Sequence, residues 1–243
     1  MDIIALLIII GLCIGSFLNV AILRIPKGES VSLPASHCTH CLHPLAWYHN
    51  IPLFSWLFLR GKCAFCHGTI SFQYPLIETL SALLYVCAWI QTGELLQALI
   101  FGTVFALLLS LSLIDLRYKA VPDALSLPAL ILSFLTNNPL LALEQGLLFM
   151  GGFALLRISL SFALKKEVMG EADIIIAGVI GALLGIKLGL LAIYLSAVIA
   201  LVAFMVVRKK GYELPFIPFL SAGLFVTWFW NDFALILLGK LYE

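Results

Sequence analysis

Long apolar runs follow one another along most of this chain, at roughly 3–23, 76–92, 95–114, 124–137, 143–164, 173–187, 188–207 and 214–239. A helix needs about 20 mostly apolar residues to cross a bilayer. Eight such runs in 243 residues leave little sequence for anything else. Composition agrees: 63% of residues are hydrophobic and 11% charged, where soluble domains hold about 45–50% and about 25%. The mean hydropathy is +1.11. Such a chain cannot cover itself with a polar surface in water. Soluble, disordered, collagen-like and nucleic-acid-binding classes are poor fits, and a net charge of +1 gives no reason to expect an anionic partner. The expectation is an all-α membrane protein of about eight transmembrane helices, with the lipid bilayer as its solvent. The fourth and sixth runs are short. The sixth and seventh meet at Lys187-Leu188-Gly189 and read as two spans or as one long hairpin.

Basic residues orient this map. Arg24, Lys27, Arg60 and Lys62 lie between the first two runs, Arg117 and Lys119 after the third, Arg157, Lys165 and Lys166 at the end of the fifth, and Arg208, Lys209 and Lys210 after the seventh. The opposite side holds only Lys187 and Lys240, a split of 12 against 2. Cytoplasmic loops collect Lys and Arg. The N- and C-termini are therefore expected outside the cytoplasm and the 24–75 loop inside it. The first run opens Met1-Asp2 with no basic segment and continues to Arg24, so it reads as a span rather than a removable signal peptide. The chain divides into a first helix at 1–23, a loop at 24–75 and a seven-helix core at 76–243. No internal repeat or low-complexity tract is evident, and pseudo-symmetric halves of the transporter kind are not seen.

All five histidines and four of six cysteines fall between residues 37 and 67. Cys38-Thr39-His40-Cys41 and Cys63-Ala64-Phe65-Cys66 are two C-x2-C knuckles, the spacing of a closed, structural four-thiolate zinc site. The cytoplasm keeps thiols reduced, which disfavours paired disulfides. The expected metal ligands are Cys38, Cys41, Cys63 and Cys66, in a zinc-ribbon-like loop whose metal supplies folding energy rather than hydrolysis. His37, His40, His43, His49 and His67 are read as solvated or supporting residues. Cys13 and Cys87, inside spans, are read as small core residues.

Acidic residues in or beside spans are costly and are functional candidates. Asp115 ends the third run and Asp173 opens the sixth. The third run exits on the side from which the sixth enters, so the two carboxyls are expected at similar depth on different helices. Two carboxyls in reach of each other share a proton and can activate a water while protonating a leaving amine, the chemistry of an aspartic protease. The same residues could instead line a proton or ion path. Asp123, after Pro122, reads as a helix N-cap. Glu171 suits the positive end of its helix.

Taken together, several segments resemble the type IV prepilin peptidases, also called leader peptidase / N-methyltransferases. They are Gly15-Ser16-Phe17-Leu18-Asn19-Val20 with Arg24-Ile25-Pro26, the two knuckles, Asn50-Ile51-Pro52-Leu53-Phe54-Ser55-Trp56-Leu57 and Leu59-Arg60-Gly61-Lys62-Cys63. Further on stand Ile70-Ser71-Phe72-Gln73-Tyr74-Pro75-Leu76-Ile77-Glu78, Ile114-Asp115 with Val121-Pro122-Asp123, and Pro215-Phe216-Ile217-Pro218-Phe219-Leu220. The resemblance implies an eight-span aspartic endopeptidase of the bacterial inner membrane. It would cut the basic leader from prepilin or pseudopilin substrates, in a pilus or type II secretion system, and methylate the new amino terminus with S-adenosylmethionine. It implies Asp115 and Asp173 as the catalytic pair. The family's second motif is Gly-x-Gly-Asp; this chain has Gly170-Glu171-Ala172-Asp173, with Ala172 where glycine is usual and Ile175 where lysine often stands. If that position needs a positive φ, the alanine is strained; if it is helical, the change is mild. The resemblance places methyl transfer in the N-terminal region and names no cofactor contacts. A peptidase without methyl transfer and a transporter or scaffold with a zinc-stabilised partner loop are the competing readings.

Overall fold

The computed structural model describes residues 2–166, 169–207 and 214–241, with side chains to 236 in the last helix. Arg208, Lys209 and Lys210, which the charge rule uses, lie outside the described residues. The described chain is helical apart from its cysteine loop. The elements are α1 (Ile3–Arg24), the short α2 (Phe54–Phe58), α3 (Gln73–Thr92), α4 (Leu95–Tyr118), α5 (Asp123–Ser133), α6 (Pro139–Leu164), α7 (Glu171–Val207), α8 (Ile217–Phe229) and α9 (Asn231–Leu241). Among the described residues four helices are long and apolar enough to cross a membrane: Ile3–Lys27, Leu95–Tyr118, Pro139–Leu164 and Glu171–Val206. Asp123–Ser133 and Ile217–Phe229 are shorter apolar helices.

The chain forms two compact units, Met1–Ala106 and Leu107–Glu243. In the first, α1 packs on α3 along Gly11 and Gly15. A Cβ at Gly11 would stand 2.5 Å from Cα of Ala82, and one at Gly15 would stand 2.7 Å from Cα of Glu78. Backbone cannot yield as a flexible side chain does, so only glycine allows this approach. Small residues four apart bring helices close in the same way in lipid, where no hydrophobic force drives them together. The contact buries Asn19 and Ser81 completely.

In the second unit α7 packs against α5, α6 and α8. The helical stretch Glu171–Val206 has 36 residues, about 54 Å at helical rise, against a hydrocarbon core of about 30 Å. It is broken at Gly185, whose φ of 72° and ψ of −173° leave the helical region. The sequence reading set this junction at 187–189; the backbone turns at 185 because glycine alone takes that conformation without strain. The apolar run at 214–239 is likewise two helices, divided at Trp230 (φ −106°, ψ 36°). Cys13, read as a core residue, is exposed on α1; Cys87 is half-buried.

Candidate active site and metal centre

Asp115 lies in the last turn of α4 and Asp173 in the first turn of α7, both buried, at 7% and 8% exposure. Each carboxylate meets the start of a helix, where backbone N–H groups have no intrahelical acceptor. Gly170 donates its N–H to Oδ2 of Asp173 at 3.1 Å. Gly170 precedes the first residue of α7 and Asp173 is the third, so the contact has the form of the reciprocal half of a capping box. Ile217, the first residue of α8, donates to Oδ2 of Asp115 at 3.2 Å, across 102 positions of sequence. The positive end of a helix favours a carboxylate in both places. The two aspartates are also near enough that the charge on Asp115 acts on Asp173. Each of the two residues singled out in the sequence is thus buried on its own helix and held by one backbone donor.

Their neighbours divide differently from the sequence reading. Asp123 is exposed and occupies the first turn of α5; Pro122 is the N-cap residue, so Asp123 does not make the predicted cap. The helix starts one residue early because proline's fixed φ already sets its entry. Glu171 is in the first turn of α7, as the dipole argument expects, and accepts from Arg157 at 3.1 Å. Ala172 is helical and is not among the residues with positive φ. The backbone donor on Asp115 was not legible, although the prolines at 215 and 218 mark the start of α8 in the sequence.

The cysteine loop folds as two matching turns. Cys38 donates its N–H to the carbonyl of His43 at 3.0 Å, and Leu42 donates to the carbonyl of Cys38 at 2.9 Å. Cys63 repeats this with Gly68 at 2.9 Å, and His67 donates to Cys63 at 3.1 Å. The residue after each second cysteine, Leu42 or His67, has a φ of 57°. Cys38 and Cys63 are buried; Cys41 and Cys66 are exposed. All four Sγ atoms lie within 4.8 Å of one another. Zinc–thiolate bonds of about 2.3 Å in a tetrahedron require sulfurs about 3.8 Å apart, and Cys38 and Cys66 stand at 3.8 Å. The four thiols thus fit a zinc ion. Backbone N–H groups of Cys41 and His40 lower the Cys38 thiol to about 6. The Cys66 thiol is raised to about 11; its largest influence, the Gly68 backbone N–H, lowers it, and this is outweighed by burial and the neighbouring thiols of Cys41, Cys63 and Cys38. His43 packs against Phe65 with ring centroids 3.7 Å apart and the rings tilted by 40°, joining the two turns without joining the ligand set.

One further group carries weight that the sequence reading did not give it. Glu78 in α3 is 5% exposed, and its Oε2 accepts the N–H of Leu53 at 2.8 Å. An acidic residue inside the apolar run 76–92 was the available signal.

Comparison with known proteins follows the same division of the chain. Residues 9–92 match the bacterial peptidase A24 N-terminal domain, and residues 102–205 match the type IV leader peptidase family. A type 4 prepilin-like proteins leader peptide-processing enzyme of Escherichia coli O78:H11 is 35% identical over 242 residues, covering 88% of each chain. A prepilin leader peptidase/N-methyltransferase of Stutzerimonas stutzeri is 35% identical over 266 residues, 93% of this chain and 90% of that one. Another of that name, from Myxococcus xanthus, is 42% identical over 137 residues, 55% of this chain and 40% of that one. No solved structure matches the chain.

Proposed function

The chain belongs to the type IV leader peptidase family, and from that membership we propose that it removes the basic leader from type IV prepilins or pseudopilins and N-methylates the residue so exposed. It is a multi-pass membrane enzyme of the inner membrane. We read α3, α5, the two segments of α7 and the α8–α9 pair as spans beside α1, α4 and α6, eight in all, with both termini outside the cytoplasm.

Asp115 and Asp173 are the catalytic pair in this reading. The observation that carries it is two buried carboxyls on different helices, each with one backbone donor, with the charge of Asp115 acting on Asp173. One aspartate takes a proton from a water molecule as that water attacks the scissile carbonyl carbon. The other donates a hydrogen bond to the carbonyl oxygen and steadies the charge that develops there. The C–N bond then breaks as a proton passes from the pair to the leaving amine. The Gly170 and Ile217 amides fix the two carboxyls so that the oxygens without a backbone donor can face water and substrate. The pair acts as a unit, so the two roles belong to it jointly.

Zinc, held by Cys38, Cys41, Cys63 and Cys66, would close the loop and supply no open coordination position for hydrolysis. Methyl transfer is assigned to residues 9–92, with S-adenosylmethionine as the methyl donor. That segment has no glycine-rich nucleotide loop, so the reading names no ligand to the cofactor and routes no step through it. The test is to incubate the purified protein with a prepilin carrying its leader, with and without S-adenosylmethionine, and read intact masses. Loss of the leader mass establishes the peptidase, and a further single methyl establishes the transferase. An unchanged substrate with folded protein overturns both.

A further inference from the structure

We propose that Glu78 is a positioning residue: its carboxylate ties the cysteine loop to the α1–α3 pair and so sets where that loop stands for methyl transfer. The functional half rests on the assignment of methyl transfer to residues 9–92. The geometric half rests on contacts within the first compact unit alone.

Glu78 is fixed from below. Its Cα faces Gly15, where even a methyl group would collide at 2.7 Å. One turn earlier, the carbonyl of Tyr74 accepts from Nδ2 of Asn19 at 3.1 Å. The hydroxyl of Ser16 also reaches the Glu78 side chain. An acidic side chain at so tight a crossing, 5% exposed, is an expensive choice unless it has something to hold.

What it holds is Leu53. This residue has a φ of 62° and ψ of −53°, where a leucine is rarely found, and it is the N-cap position of α2. The neighbouring main-chain amides bond locally. Phe54 donates to the carbonyl of Pro52 at 2.7 Å, Ser55 to Ile51 at 3.1 Å and Leu57 to Leu53 at 2.9 Å. The Leu53 amide, by contrast, looks to a residue 25 positions away. Without that acceptor a strained turn also loses its outward bond.

From Leu53 the connection continues to the metal centre. Trp56 donates its Nε1–H to the carbonyl of Ile70 at 3.3 Å. Gly61 donates to the carbonyl of Trp56 at 2.8 Å and accepts from Ile70 at 2.8 Å. Gly61 lies against the Trp56 ring, with room for no Cβ. Lys62 and Thr69 pair next, and Cys63 follows with its bond to Gly68. An unbroken series of backbone and ring contacts thus joins the Glu78 carboxylate to the second knuckle.

The test compares Glu78→Ala and Glu78→Gln with wild type in the full-length, zinc-loaded protein. Four readouts are taken: leader cleavage, methyl transfer, zinc content and limited proteolysis within residues 51–62. Gln keeps an oxygen acceptor for the Leu53 amide and removes the charge; Ala removes both. The expected result for Glu78→Ala is unchanged zinc content and cleavage, a loss of methyl transfer of about tenfold or more, and faster cutting of the loop. Glu78→Gln is expected to restore both methyl transfer and protease resistance. Equal methyl transfer in all three proteins overturns the proposal. So does a Gln variant as defective as Ala, which would mean that the charge, and not the acceptor, matters. A parallel fall in cleavage and zinc content would mean a general folding defect and also overturns it. If wild type itself transfers no methyl group, the assignment of that activity fails, and proteolysis alone decides the geometric half: a loop equally resistant in wild type and Glu78→Ala sinks it.

Discussion

Gly170 donates its backbone N–H to Oδ2 of Asp173 at 3.1 Å, so the carboxylate assigned to catalysis also caps the helix it stands on. Asparagine keeps the oxygen that accepts this bond and removes the ability to take up a proton. The same holds for Asp115 and the Ile217 amide. Asp115→Asn and Asp173→Asn should each remain folded and each lose cleavage by at least about 100-fold, the scale of a general acid–base contribution. Intact-mass assays with thermal unfolding as the control check this. A variant near wild-type rate removes that residue from the mechanism.

The alanine of Gly170-Glu171-Ala172-Asp173 should be benign. Ala172 sits in the first helical turn with no positive φ, so it carries no steric strain there. Ala172→Gly is expected to leave cleavage nearly unchanged and to cost less than about 1 kcal/mol of stability, through glycine's greater freedom in the unfolded chain. A several-fold gain in rate would show that the methyl group crowds the site.

Purified protein should carry one zinc ion per chain, measurable by elemental mass spectrometry. A strong chelator should remove it and open residues 37–67 to protease, because folding of such a loop depends on the metal. Cys63→Ser, at a buried ligand, should do the same. Zinc binding near pH 7 should release protons, since the Cys66 thiol, raised to about 11, is protonated there until the metal displaces its proton. Calorimetry in buffers of different ionisation enthalpy reads that release. Protein that stays folded and protease-resistant after complete metal removal would deny the metal a structural role.

Two alanine substitutions should differ in sign. Gly11→Ala places a Cβ 2.5 Å from Cα of Ala82 and must push α1 from α3; overpacking of this kind costs about 1–3 kcal/mol. Gly151 has nothing within 4 Å of its Cβ position, and alanine is the better helix former by about 1 kcal/mol. Gly11→Ala should lower the unfolding temperature, and Gly151→Ala should hold or raise it.

Much of this was legible from residue pattern. Apolar runs located the helices, and the C-x2-C pairs located the thiol cluster, because both signals depend on residue type and spacing. Asp115 and Asp173 stood out as charges at the edges of apolar runs. What pattern could not supply was backbone geometry. Hydropathy is blind to a φ of 72° at Gly185, so the junction in α7 was set two to four residues late. It is equally blind to Trp230, where an apolar run becomes two helices. The donors on Asp115 and Glu78 come from main-chain amides of Ile217 and Leu53, and an amide has no signature in the identity of its side chain.

The bond between Ile217 and Asp115 also sets an order of events in time. At about 5–20 residues per second, the 102 positions that separate the two residues take on the order of 5–20 s to leave the ribosome. For that interval Asp115 has been made and its amide donor has not. A nascent chain halted before Pro215 holds both aspartates and lacks the helix start that fixes one of them, so the proposed site is complete only once α8 has been made.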